Sequence, residues 1–379
     1  MKEYALLLKP ASGLCNMRCG YCFYADEMSL RESSSRGLMT EETARAILLS
    51  LKKDLAPGDR LHLAFQGGEP TLSGIDFYKA FFQMAAEILK GISVSWSFQT
   101  NGLLLDEEWC RFFRENRVLV GLSIDGPARF HNAYRKDASG ESTSVRVHGA
   151  MELLKQHGVA FNVLTVLTPE TAARPEAVWN WVLREEIRYV QFIPCLGALD
   201  LSDVPKDSGS ASERARWALT PSAFRDFYLA LFPLWKKSLE EGHAVSVKFF
   251  DDLVNLFLYG RETACGMTGQ CSVQYVAEAD GLVYPCDFYA LDKYRMGDLK
   301  SDNLLSLRDA AAAFLNEPRA CLSEEPCRSC PLLSSCRGGC KRMKDTMYLE
   351  NGSCRYRELL DRILDPLIRT AESFRRQRP

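Results

Sequence analysis

The stretch "GLCNMRCGYCFYADE", residues 13–27, brings Cys15, Cys19 and Cys22 together. The reading of that triplet decides what the rest of the fold must supply. A structural zinc site takes four protein ligands, and the next candidates along the chain are His62 and Cys110. A cubane iron–sulfur cluster held by three thiolates leaves one iron open for an exchangeable ligand, so the missing fourth thiol becomes the place where a substrate or cofactor binds. Zinc stays as the alternative. A core role is weaker, because the C-x3-C-x2-C spacing follows neither a strand face nor one helical stripe.

The remainder of the chain supports a cluster more than a disulfide framework. Its 379 residues carry 14 cysteines and a formal charge of -2, from 47 basic and 49 acidic side chains. That balance gives no basic footprint for nucleic acid. The opening "MKEYALLLKP" has a short apolar run ended by Lys9 and Pro10, too short for a secretion signal. No run approaches a membrane span, so a cytoplasmic protein is expected. In a reducing compartment, closely spaced thiols point to metal or cluster ligation.

Six short apolar and β-branched runs alternate with helical stretches. The spacing predicts strands over Tyr4–Leu8, Leu61–Phe65, Val94–Gln99, Val118–Ile124, Val159–Val166 and Tyr189–Ile193. Helices are expected over Thr40–Leu55, Ile75–Leu89, Asp106–Arg114, Ser144–His157 and Arg174–Glu186. Serial strand–helix units predict a parallel sheet, either a barrel or an open doubly wound sheet. Polar and glycine-rich segments, "QGGEPT", "TNG", "SIDG" and "PCLG", follow or end several different strands. A barrel or partial barrel gathers such ends around one site.

After Leu199 the pattern breaks into a polar loop at about 200–215, a helix over Pro221–Glu241 and a possible further strand in "AVSVKFF". From Gly260 onward the cysteines crowd. Cys265, Cys271, Cys286, Cys327 and Cys330, with Cys336, Cys340 and Cys354, give eight thiols, enough for two complete sets of four. Fully thiolate-ligated cubanes suit electron transfer, and two zinc sites are the alternative. Cys110, Cys195 and Cys321 are left over, with Cys321 a competing ligand. The expected organisation is residues 1–240 as barrel, 241–260 as connector, and 261–379 as auxiliary-cluster domain with a C-terminal helix.

"CNMRCGYC" resembles the cluster motif of radical S-adenosylmethionine (SAM) enzymes, and the Cys271–Cys354 set resembles the twin-cluster SPASM extension. "LLLKPASGLCNMRCGYCFY", "AFQGGEPTLSG", "QTNGLLLDE", "LVGLSIDGP", "HNAYRKD", "QFIPCL", "CGMTGQC" and "YPCDFYALDKYRMG" together resemble anaerobic sulfatase-maturating enzymes over almost the whole chain. The resemblance implies an α/β fold, a partial (β/α)6 TIM-like barrel with a C-terminal SPASM-type twin iron–sulfur cluster domain. It also implies oxidation of one Cys or Ser in a sulfatase to Cα-formylglycine, coupled to reductive cleavage of SAM to 5′-deoxyadenosine and methionine. Three [4Fe-4S] clusters are expected, one on Cys15, Cys19 and Cys22 and two on the eight later thiols. Gly68, Glu69, Ser123, Arg135, Tyr21 and Leu196 match SAM-contacting positions, with Tyr24 and Gln191 toward the substrate. Asp287, directly after Cys286 in "YPCDF", matches the family's catalytic base, and Asp251 and Asp252 are second choices. The implied partners are an unfolded or nascent sulfatase polypeptide carrying Cys/Ser-x-Pro-x-Arg and a flavodoxin- or ferredoxin-type reductant, with neither nucleic acid nor membrane.

Another SPASM-type peptide-modifying enzyme, such as one forming thioether crosslinks, is the main competing reading. Such enzymes often carry a recognition domain before the barrel, and with Cys15 so early none is expected here. An iron–sulfur electron-transfer protein would explain the eight later thiols but not the open three-thiol site. A zinc-bound interaction module predicts a colourless protein.

Overall fold

The computed structural model describes residues 2–199, 217–317, 322 and 325–377. The polar loop expected at about 200–215 and Cys321 lie outside them. In chain order come β1 (Glu3–Leu8), α1 (Phe23–Ser29), α2 (Glu41–Asp54), β2 (Arg60–Phe65), α3 (Ile75–Ile88), β3 (Ser93–Thr100) and α4 (Glu107–Glu115). Then follow β4 (Leu119–Ser123), α5 (Ala128–Tyr134), α6 (Ser144–Gln156), β5 (Phe161–Leu167), α7 (Pro169–Ala172), α8 (Pro175–Arg184) and β6 (Tyr189–Pro194). Short strands complete the set: β7 (Ser246–Val247), β8 (Val276–Ala277), β9 (Leu282–Tyr284) and β10 (Gly297–Asp298). The six expected strands and five expected helices are all present, their ends displaced by no more than two residues, the ordinary scatter of element boundaries.

The chain forms two compact units that interleave along the sequence. The first takes residues 1–123, 135–161 and 273–317; the second takes 124–134, 162–272 and 318–379.

In the first unit β1, β2, β3 and β4 are parallel neighbours, in a register that aligns Leu8 with Phe65, Phe65 with Phe98 and Phe98 with Val120. The residues just after these positions therefore emerge along one edge. β8 adds to β1 in parallel, and β9 and β10 follow antiparallel. The helices are placed by local chemistry. Thr40 caps α2 by accepting from the Thr43 N–H, and Asp106 caps α4 by accepting from the Trp109 N–H, each cap contributing about 1 kcal/mol. α3 buries Phe77, Tyr78, Phe81, Phe82 and Ala85, a helical stripe. Its Tyr78 and Phe81 meet Phe65 edge-on at centroid distances of 5.1 and 5.3 Å. Each such ring stabilises the fold by about 1.5–3 kcal/mol through burial, which keeps the strand ends rigid beneath the site.

In the second unit β6 pairs in parallel with both β5 and β7. The helix Pro221–Glu240, capped by Thr220, packs against α8 and the C-terminal helix Arg355–Gln377. "AVSVKFF" departs from expectation: only Ser246–Val247 is strand, and Lys248 begins a helix to Tyr259. The β-branched "VSV" favours strand, but Phe250 and Leu253 are buried at helical spacing, and that longer-range packing outweighs local propensity. From Glu325 to Cys354 no element exceeds five residues. Among the described residues no helix is long and apolar enough to cross a membrane.

Candidate active site

In the first unit, the loop after β1 carries the three early cysteines. Cys15 is exposed while Cys19 and Cys22 are partly buried, and Cys22 sits at the N-cap of α1. The Cys22 N–H donates to the Cys19 carbonyl at 3.1 Å, closing the loop on itself. The Cys15 sulfur accepts from the Met17 N–H at 3.3 Å and from the Asn101 amide at 3.9 Å. Burial pushes the Cys15 thiol up to about 11, against those donors and helped by the charges of Glu69 and Cys22. Ligation to iron would reverse that direction. The segment after α5 clamps the loop: Met17 and Asp137 form an antiparallel bridge, and the Arg18 N–H donates to the Lys136 carbonyl at 2.8 Å.

The loop after β2 lies against this cysteine loop. The Gly68 N–H donates to the Ser12 carbonyl at 2.7 Å and the Glu69 N–H to the Leu14 carbonyl at 2.8 Å. A Cβ on Gly68 would stand 2.0 Å from the Leu14 oxygen, so only glycine permits the approach. Glu69 is 1% exposed. Its Oε1 accepts from the Thr71 N–H, the Thr71 hydroxyl and the Thr100 hydroxyl, at 3.1, 2.6 and 2.7 Å, and its Oε2 from the Asn101 N–H at 2.7 Å. Burial still holds this carboxyl above its ordinary range, because a dry surrounding penalises the charged form. "GGEP", "TNG" and the cysteine loop are thus one assembly, and Asn101 joins two of its parts by donating to the Asn16 side chain at 2.7 Å. Arg135 is buried with its guanidinium 5.5 Å from the Tyr21 ring centroid, and Ser123 is buried at the end of β4.

A second carboxylate stands nearby in sequence logic, at the end of the β8–β9 hairpin. Asp287 opens a 3-10 turn whose N-cap is Cys286. Its Oδ1 is 2.7 Å from the Lys9 ammonium and its Oδ2 accepts from Gln66 Nε2 at 2.7 Å. Its N–H donates to Gln274 Oε1 at 2.9 Å. Lys9 follows β1 and Gln66 follows β2, so the two strand ends hold one carboxylate between them. The Lys9 ammonium lies 3.6 Å from the Tyr24 ring centroid. Burial alone would lower its pKa, but Asp287 first, then Tyr24, Glu278 and Glu27, outweigh that and keep it charged. The Tyr24 hydroxyl donates to Glu278, which pairs with Arg31 at 2.9 Å. Asp280 makes a turn beside Gly281, accepting from the Leu282 N–H at 3.1 Å.

In the second unit, Gln191 is half-buried on β6 and Leu196 is buried just after it. Cys195 is buried, which pushes its thiol up to about 12. The Gly197 carbonyl accepts from Arg342 at 2.6 Å. Cys265 feels the charges of Cys340 and Cys271, and Cys354 that of Cys330, so these late thiols fall into neighbouring groups. Asp252 accepts from Lys248 and from the Thr263 hydroxyl, and Asp251 from Ser246, which commits both to local structure. Among the described residues no three His, Cys, Asp or Glu side chains converge tightly enough for a single metal ion. A cubane asks for more widely set thiols, and the cysteine loop offers the Cys15 sulfur with N–H donors aimed at it, the second-sphere pattern of iron–sulfur sites.

Several residues of this assembly had no assigned role in the sequence reading, among them Lys9, Gln66, Thr71, Thr100 and Asn101. Gln66, Thr100 and Asn101 lie inside or beside the quoted "QGGEPT" and "TNG" segments, and their position after parallel strands was the available signal. Lys9 looked only like the charge that ends an apolar run.

The description "Radical SAM superfamily" matches residues 10–182. A cysteine-type anaerobic sulfatase-maturating enzyme of Clostridium perfringens is 36% identical over 382 residues, covering 99% of this chain and 100% of the relative. A serine-type anaerobic sulfatase-maturating enzyme of Bacteroides thetaiotaomicron is 28% identical over 349 residues, covering 90% and 83%. A solved structure of native anSMEcpe with bound AdoMet and the Kp18Cys peptide superimposes with a TM-score of 0.85 at 34% identity, covering 98% of this chain and 99% of that one. The fold is accordingly that of a radical SAM partial barrel with a cysteine-rich, SPASM-type C-terminal extension. On whole-length identity as well as fold, the chain belongs to the family of anaerobic sulfatase-maturating enzymes.

Proposed function

We infer that this chain is a radical SAM oxidoreductase that converts a cysteine of a sulfatase polypeptide to Cα-formylglycine, cleaving SAM to 5′-deoxyadenosine and methionine. The observation that carries the reading is the whole-chain likeness to peptide-bound anSMEcpe. Cysteine is favoured over serine as the target because the cysteine-type relatives share 35–36% identity and the serine-type ones 28–29%.

Cys15, Cys19 and Cys22 would hold a [4Fe-4S] cluster with one open iron. Glu69 suits the amino group of SAM, because Oε2 has a single donor and retains lone pairs. Arg135 suits its carboxylate, Ser123 a ribose hydroxyl, Gly68 a close backbone approach, and Tyr21 and Leu196 the cofactor's apolar faces. Tyr24 and Gln191 are assigned to the substrate side. When bound, cluster and SAM supply the 5′-deoxyadenosyl radical that removes a hydrogen from Cβ of the target. Asp287, held by Lys9 and Gln66, takes the thiol proton as general base. Water then hydrolyses the thioaldehyde to the aldehyde and releases sulfide. Forming the thioaldehyde also takes one electron from the substrate radical, and an auxiliary [4Fe-4S] cluster, when bound, would supply its acceptor. The eight later thiols, Cys265, Cys271, Cys286, Cys327, Cys330, Cys336, Cys340 and Cys354, would hold two such clusters, with Cys340 grouped with Cys265 and Cys271, and Cys354 with Cys330.

The proposed organisation remains a barrel over 1–240, a connector over 241–260 and an auxiliary-cluster domain over 261–379. The partners proposed are a nascent sulfatase segment bearing Cys-x-Pro-x-Arg and a flavodoxin- or ferredoxin-type reductant, in the cytoplasm. The test is an anaerobic incubation of reconstituted protein with reductant, SAM and an equimolar mixture of Cys-x-Pro-x-Arg and Ser-x-Pro-x-Arg peptides. Formylglycine arising first from the cysteine peptide, with matching 5′-deoxyadenosine, is expected. Deoxyadenosine without modified peptide would overturn the substrate.

A further inference from the structure

Lys9 is a lysine in a place where lysines are seldom found. Its side chain is 1% exposed, and its main-chain N–H donates to the Ala277 carbonyl at 2.8 Å, tying the end of β1 to the hairpin that leads to Asp287. A buried ammonium is costly unless a counter-charge meets it. Here the meeting is with Oδ1 of Asp287 at 2.7 Å, while the Tyr24 ring covers the ammonium from another side with its centroid at 3.6 Å. Gln66 holds the opposite oxygen at 2.7 Å. The ion pair on Oδ1 and the Gln66 hydrogen bond on Oδ2 hold the carboxylate at both of its oxygens. An ionised carboxylate has about four acceptor sites, so lone pairs remain on both oxygens. The Asp287 side chain keeps 13% of its surface open.

We propose that Lys9 is a positioning residue for the oxidation: its ammonium, acting with Gln66, clamps the Asp287 carboxylate in the one orientation that receives the thiol proton. The inference rests on the reading of Asp287 as base in sulfatase maturation. A neutral donor could satisfy the oxygen, but a charged partner holds the carboxylate more strongly in a buried place. Proton transfer demands close alignment, and a misplacement of about 1 Å costs on the order of a hundredfold in rate.

The test is a double-mutant cycle on the full-length, anaerobically reconstituted protein, with Lys9→Met, Asp287→Asn and the pair together. Three quantities are read: aldehyde formed per 5′-deoxyadenosine, deoxyadenosine formed without peptide, and peptide affinity by calorimetry. Lys9→Met is expected to lower aldehyde per deoxyadenosine about a hundredfold. Peptide affinity and peptide-free SAM cleavage should stay within about twofold, since the lost interaction matters only in the transition state. In the Asp287→Asn background Lys9→Met should add nothing, because the two residues act as one unit. Losses that multiply, or an equal fall in peptide-free cleavage, would reduce Lys9 to scaffold and overturn the proposal. Lys9→Met alone strands a carboxylate and can fail to fold. The pair strands none, so comparing it with Asp287→Asn still decides: equal residual yields support the clamp, and a further drop of about tenfold or more overturns it. Wild-type protein that makes deoxyadenosine but no aldehyde would instead overturn the substrate reading, which this control separates from the role of Lys9.

Discussion

Around Glu69, hydrogen bonds from Thr71, Thr100 and Asn101 fix a carboxylate, and Lys9 and Gln66 do the same for Asp287. The stretch from Glu325 to Cys354 is built differently. Its elements are turns of a few residues, including a five-residue π-helix, and its cysteines are spaced through them. In the first region the polypeptide organises the chemistry, with aromatic-lined strands below and capped helices beside it. In the second, no element exceeds five residues, and on the proposed reading the ligated clusters would supply the cohesion. The lesson is that thiol count alone says little: three cysteines on a protein-organised loop and five on a stretch of short turns call for different experiments.

The largest expected effect comes from breaking the first region at its metal. Cys15→Ala should abolish deoxyadenosine formation, while roughly eight of about twelve iron atoms stay bound in the extension, as full thiolate ligation requires. Persistent SAM cleavage would mean the opening motif is misread. Next is Asp287→Asn, which keeps shape and removes the base. Aldehyde formation should fall by about 10²–10⁴-fold with deoxyadenosine still produced; full aldehyde yield would remove Asp287 from the chemistry. Iron removal should then separate the two regions. Chelation under anaerobic conditions should expose the Glu325–Cys354 stretch to protease or hydrogen exchange while the β1–β4 core stays protected. Equal protection throughout would contradict the contrast. The smallest effects belong to two glycines. A Cβ on Gly68 meets the Leu14 carbonyl at 2.0 Å, and one on Gly339, at φ +61°, meets the Tyr348 ring at 2.0 Å. Each Ala variant should cost about 1–3 kcal/mol in stability, with Gly68→Ala weakening SAM affinity and Gly339→Ala lowering auxiliary iron retention. Exchanged phenotypes would break the separation.

Much of this was legible in the sequence, for physical reasons. The six strands could be read because each is a compact apolar or β-branched run between helices of clear period, and the C-terminal ends of several could be read because polar segments follow them. Glu69 and Asp287 were legible through motifs, next to glycine and next to a cysteine. The helix at Lys248–Tyr259 was not, because "VSV" signals strand locally and only burial of Phe250 and Leu253 decides otherwise. Lys9 was not legible at all: a lysine after an apolar run reads as a solvent-facing stop, and only the fold brings Asp287, 278 positions later, to its ammonium. Thr100 and Asn101 were visible as part of "TNG", yet their task, donating to Glu69, needed the parallel register.

The central claim is that this chain draws a hydrogen from Cβ of a peptide cysteine and that Asp287 handles the accompanying proton. The most direct measurement uses a Cys-x-Pro-x-Arg peptide deuterated at the cysteine Cβ, incubated with reconstituted protein, reductant and SAM, with deoxyadenosine analysed by mass spectrometry. The account predicts deuterium in deoxyadenosine in proportion to formylglycine formed, in wild type, and deuterium transfer that survives Asp287→Asn while aldehyde is lost. Formylglycine accompanied by unlabelled deoxyadenosine would contradict it.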